Sequence, residues 1–246
     1  MDAISEIIKT MNNTSSSVNP TEIYNEGWMT RMLMYYSVKE KLKFKGIDFT
    51  NKRWTSEALI SSPFVSAKSK REGYTHPDIA IGDFKIDYSV SGKLEMANAH
   101  EFGIIEAKMK SQLSKETKNA KGFNQASRNV ACIAHNTPKE CKTFFFVVLP
   151  KSNRDRKKRD GTTIKDLVSK DTIERQITQR VKSHNDANQD QQIDDNLIER
   201  VKQCKLEVIT YEDWIKAFNN IKIKEELNEF YDACRFHNKV KPLPTV

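Results

Sequence analysis

One stretch restricts the fold more than any other: EFGIIEAKMKS, residues 101–111. Phe102, Ile104, Ile105 and Met109 make it read as a short buried strand, yet Glu106 and Lys108 stand inside the apolar run. An ionised group taken out of water alone is costly, so this pair must be matched or must face a ligand. Strand period two puts both charges on one face with Ala107 on the other. Two further Glu-x-Lys triplets begin at Glu116 and Glu140. The first lies in polar sequence and the second follows a proline at a strand entry, so neither carries the same cost.

The 246 residues suffice for one sizeable core, and the expectation is a single elaborated domain over 20–236. A short amphipathic helix and linker (1–19) precede it, a basic and helical insertion occupies about 151–204, and a loose tail covers 237–246. With 41 basic against 33 acidic residues the net charge is +8, which favours a polyanionic partner such as nucleic acid. No apolar run approaches the roughly 20 residues of a membrane helix. The first residues also lack the pattern of a secretory signal, so a cytoplasmic, intracellular protein is expected. Cys132, Cys141, Cys204 and Cys234 form no Cys-x-x-Cys pair and are expected to be buried free thiols.

Asn19, Pro20 and Glu22 fit the cap and first turn of a helix over about 20–44. Glu26 then falls on the stripe of Met29, Leu33 and Tyr36. HPDIAIGDFKIDYSV alternates like a hairpin turning at Gly82–Asp83. After the 101–109 strand, NQASRNVACIAH has helical spacing, TFFFVVLP reads as a buried strand ended by Pro150, and KLEVITYEDW as a strand leading into a helix. Strand, helix, strand in that order predicts an α/β protein with a mixed sheet flanked by helices.

If the strand beginning near Asp78 neighbours the 101–109 strand, Asp78 comes beside Glu106. Two carboxylates converging with a lysine make a poor core and a good magnesium site, because hard cations take a few carboxylates together with water and phosphate.

Pro77-Asp78 followed by Glu106-Ala107-Lys108 resembles the PD-(D/E)xK nuclease superfamily. The order of elements over about 20–150 is similar to its restriction-endonuclease-like core, a mixed central sheet flanked by helices. The resemblance implies that Asp78 and Glu106 bind Mg2+, with Mn2+ able to substitute, and that Lys108 positions the attacking water. It places an acidic residue of the first helix in the site, here Glu26, with Glu22 as the second choice, and a glutamine after the motif, here Gln125. Four residues on stands Asn129 where the exonuclease branch has a tyrosine, which favours an endonuclease. A homodimer is expected if both strands of a duplex are cut.

Lys110, Ser111, Gln125 and Arg128, and the loop residues Arg154, Arg156, Lys157, Lys158 and Arg159, are the expected backbone contacts to DNA. Two other readings stay open: a nucleic-acid-binding module with a degenerate nuclease fold, and an RNA-directed nuclease of the same fold.

Overall fold

A computed structural model describes residues 19–67, 71–117, 120–158 and 160–240. The expected helix at 2–11, Arg159 and residues 241–246 of the expected tail lie outside these.

Asn19 caps only a one-turn 3-10 helix, Pro20–Glu22. The long helix α1, Glu26–Lys39, begins at a second cap, where the Asn25 side chain accepts the Trp28 N–H at 3.0 Å and donates to the Thr21 and Glu22 carbonyls. The expected helix over 20–44 is thus shorter at both ends. Beyond it Lys45 and Gly46 both take positive φ and turn a two-stranded hairpin, Lys43–Phe44 against Ile47–Asp48.

Five strands form the central sheet: β1 (Trp54–Thr55), β2 (Ile79–Gly82), β3 (Glu101–Ala107), β4 (Lys142–Leu149) and β5 (Lys205–Thr210). Their spatial order is β5-β4-β3-β2-β1, with β3, β4 and β5 parallel and β2 and β1 antiparallel to their neighbours, so the sheet is mixed. The expected hairpin at Gly82–Asp83 does not form. Instead β2 pairs with β1 and β3, while Lys85–Asp87 pairs with Lys93–Glu95. At Gly82 φ is +128° and a Cβ would overlap the Glu101 carbonyl oxygen, so only glycine lets the chain leave β2 this close to β3. Asp83 then accepts the His100 and Glu101 N–H groups, and its side chain opens β3 rather than a turn.

Parallel neighbours need crossovers, and helices supply them. Helix α2 (Gln125–Asn136) joins β3 to β4; α3 (Lys170–Ala187) and α4 (Asn196–Gln203) lie between β4 and β5. These three cover one face, where Phe102, Ile104, Phe145 and Val147 meet Ala126, Val130 and Ile177. The other face buries Ile105, Phe146 and Val148 against Met29 and Leu33 of α1, Trp214, and Leu227 of α5 (Ile221–His237). Both faces of β3 and β4 are therefore buried, which explains their near-continuous apolar runs. Helix α5 runs through His237, the first residue of the expected tail. All four cysteines are buried and free. Among the described residues no helix is long and apolar enough to cross a membrane.

Candidate active site

The register of β2 against β3 builds the site. Ile79 pairs with Ile105, so one step further Asp78 and Glu106 leave the pair on the same face, the one covered by α2. The Asp78 side chain accepts the Ala107 N–H at 2.7 Å, and the Lys108 N–H bonds to the Val148 carbonyl at 2.9 Å, so the strand end that carries the charges is held from both sides.

Glu106 is buried, and both of its oxygens have protein partners. Lys108 Nζ lies 2.7 Å from its Oε1, the Gln125 amide donates to the same oxygen, and Asn129 Nδ2 donates to Oε2 at 3.1 Å. Asn129 is itself fixed by accepting the Thr75 hydroxyl. Gln125 and Asn129 are four apart, one above the other on α2, which is why one helix reaches both oxygens. Inside the strand, Glu106 thus has an ion-pair partner and two amide donors.

Glu26 enters from the opposite layer. As the first residue of α1 it accepts the Met109 N–H at 2.6 Å, with Ser111 Oγ at 3.4 Å, so it caps the chain where β3 has just ended. Burial raises the proton affinity of all three carboxyls. Burial and then the Asp78 charge push Glu106 up to about 7; burial also raises Asp78 and Glu26, against their hydrogen bonds to Ala107 and Met109. Burial pulls Lys108 down, but Glu106, Asp78 and Glu26 together outweigh it and its affinity for the proton rises.

Two clefts flank these residues and share Lys110 and Ser111. One is lined by Lys108, Asn153, Arg156 and Lys158, the other by Glu26, Arg31, Glu57 and Asp78. Among the expected contacts, Lys110, Ser111, Arg156 and Lys158 thus face a cleft. Arg154 is paired with Asp155, and Lys157 is exposed without lining either cleft. Arg128 points elsewhere: it donates to the Tyr74 carbonyl and lies 3.7 Å from the buried Glu72. Glu22 is exposed on the 3-10 turn and lines neither cleft.

Several residues of the site were not anticipated as functional. The i, i+4 relation to Gln125 is the signal that marks Asn129. Asn153, which donates to the Met109 carbonyl at 3.0 Å, and Arg31 have no local pattern that points to them.

Magnesium usually takes one or two protein carboxylates and completes its shell with water and substrate phosphate. Asp78 and Glu106 match that donor set. Among the described residues no three Asp, Glu, His or Cys side chains are gathered into a metal-holding group. The fit is therefore to an ion finished by water and phosphate, with Glu26 held by Met109 and Ser111 at its margin. No protein-family model, curated protein or solved structure matches this chain.

Proposed function

We propose that this chain is a Mg2+-dependent nuclease that hydrolyses phosphodiester bonds of DNA, as an endonuclease with a restriction-endonuclease-like core. The observation that carries the reading is the β2–β3 register, which sets the buried Glu106, the half-buried Asp78 and a lysine together at one strand end beside clefts carrying Lys110, Arg156 and Lys158. Asp78 and Glu106 are the residues that would hold the ion. When bound, it would polarise a phosphate oxygen and make water a stronger nucleophile.

Lys108 acts as a hydrogen-bond donor rather than a base. Three carboxylates raise its affinity for its proton, so it stays an ammonium at neutral pH. Glu106 takes one of its three N–H donors, and the others are free to orient water and offset charge on the phosphate as it is attacked. Gln125 and Asn129 keep the Glu106 carboxylate in one orientation, and Lys110, Arg156 and Lys158 neutralise backbone phosphates without reading bases.

A second reading, a metal-free nucleic-acid-binding module, is favoured by one observation: both Glu106 oxygens already have protein donors. Cleavage of DNA and of RNA by the parent and by Lys108→Ala separates the readings. The nuclease account expects Mg2+-dependent cutting of DNA that the substitution abolishes while binding persists. Cutting of RNA alone would change the substrate, and binding without any cutting would favour the module.

A further inference from the structure

The cleft lined by Glu26, Glu57 and Asp78 also holds a cation, Arg31. Arg31 projects from α1, is half-buried, and is held in place by three features. Its Nε donates to Ser56 Oγ at 3.0 Å. Its guanidinium lies 5.5 Å from the centre of the Trp28 ring. It also occupies space left by Gly27, where a Cβ would come within 3.1 Å of Nη1.

Among the described residues no carboxylate lies within ion-pair distance of Arg31, although its charge is felt at Asp78. A guanidinium fixed in orientation but outside any direct ion pair is the donor geometry that suits a phosphate, since its planar N–H groups match phosphate oxygens. The cleft it lines also carries Glu26, Glu57 and Asp78. An anion entering there without a cation would meet three carboxylates, and Arg31 and Lys110 are the groups on that side able to offset them.

Lys110 and Ser111 line both this cleft and the one that holds Arg156 and Lys158, so the two are neighbours, with Asp78 in one and Lys108 in the other. We propose that Arg31 is a phosphate-binding residue, and that one nucleic-acid strand crosses the carboxylates from Arg31 at one end to Arg156 and Lys158 at the other. The inference rests on the nuclease reading and adds to it the course of the strand. It also implies that the substrate extends on both sides of the bond that is cut.

The test is equilibrium binding of a short fluorescein-labelled DNA duplex across a KCl series with Mg2+, in a full-length Lys108→Ala background so that the duplex stays whole. Arg31→Met keeps the apolar stem and removes the charge; Arg31→Lys keeps the charge and loses the fork. The expected result is that Arg31→Met reduces the slope of log affinity against log salt by about 0.9, one phosphate contact, while Arg31→Lys retains the parental slope. If Arg31→Met instead leaves the slope unchanged and alters only the thermal melting temperature, Arg31 is a counter-charge to Asp78 and the proposal is overturned while the nuclease reading stands. Failure of the Lys108→Ala protein to bind duplex, together with no cutting by the parent, overturns both.

Discussion

The Asp78 carboxylate accepts a 2.7 Å hydrogen bond from the backbone N–H of Ala107, the residue between Glu106 and Lys108. That contact ties the edge of β2 to the end of β3 and separates two roles of one side chain, as a hydrogen-bond acceptor and as a charge. Asp78→Asn retains an acceptor oxygen and removes the charge. Its far-UV circular dichroism and melting temperature should stay close to the parent's, while cleavage falls by at least the roughly 10–100-fold seen when partners of a metal site are lost. Equal losses of fold and of cleavage would mean that Asp78 is only a structural tie.

The carboxyl pair predicts how stability depends on pH. Glu106 binds its proton more tightly in the folded protein, up to about 7, than an unfolded chain does, and burial raises Asp78 as well. Below the unfolded value both states are protonated and there is no penalty. As pH rises toward 7 the unfolded chain ionises first, and the folded state loses stability, on the order of 1–3 kcal/mol. Metal-free protein should therefore melt at a lower temperature at pH 8 than at pH 5. Mg2+ should raise the melting temperature more at pH 8, where the carboxylates are ionised; a Mg2+ effect independent of pH would argue against binding at this pair.

Gln125 and Asn129 position the Glu106 carboxylate from one helix face. Asn129→Ala also leaves the Thr75 hydroxyl without its acceptor, so it should lower stability by about 1–2 kcal/mol as well as activity. Gln125→Ala, at the half-buried first position of α2, should reduce cleavage by about 10-fold or more with little change in melting temperature. Urea unfolding beside kinetics distinguishes the two.

Much of this site was readable because its chemistry conflicts with its surroundings. Glu106 and Lys108 interrupt an apolar run, and a charge there needs an explanation that one at Glu116 does not. The β2–β3 neighbourhood enters the sequence reading only as a condition, which the register meets, whereas the hairpin expected to turn at Gly82–Asp83 does not form. Alternation of Ile79 and Ile81 continues visually into Phe84 and Ile86, but a glycine at φ +128° ends the strand and Asp83 turns to cap β3. The start of α1 was misplaced for a related reason. Asn19-Pro20 and Asn25 both satisfy capping chemistry, and only tertiary packing of the Glu26–Lys39 face decides between them. Arg31 was invisible because nothing about an arginine in a helix says whether a carboxylate will be near it.

The basic cleft gives a graded prediction. Arg156 and Lys158 line it and Lys157 does not. Arg156→Gln and Lys158→Gln should each weaken DNA binding alike for all sequences and lower the salt slope by about 0.9, with a smaller effect for Lys157→Gln. Fluorescence anisotropy at several KCl concentrations measures this. Three equal effects would point to diffuse attraction by the whole loop.

The proposed metal-dependent hydrolytic site centres on Glu106, with Asp78 and Lys108. It is tested by incubating supercoiled plasmid with the parent protein and with Glu106→Ala, each in Mg2+ and in EDTA. Nicked or linear product is expected only for the parent in Mg2+. Cutting that persists in Glu106→Ala or in EDTA, or no cutting by the parent in either condition, would contradict it.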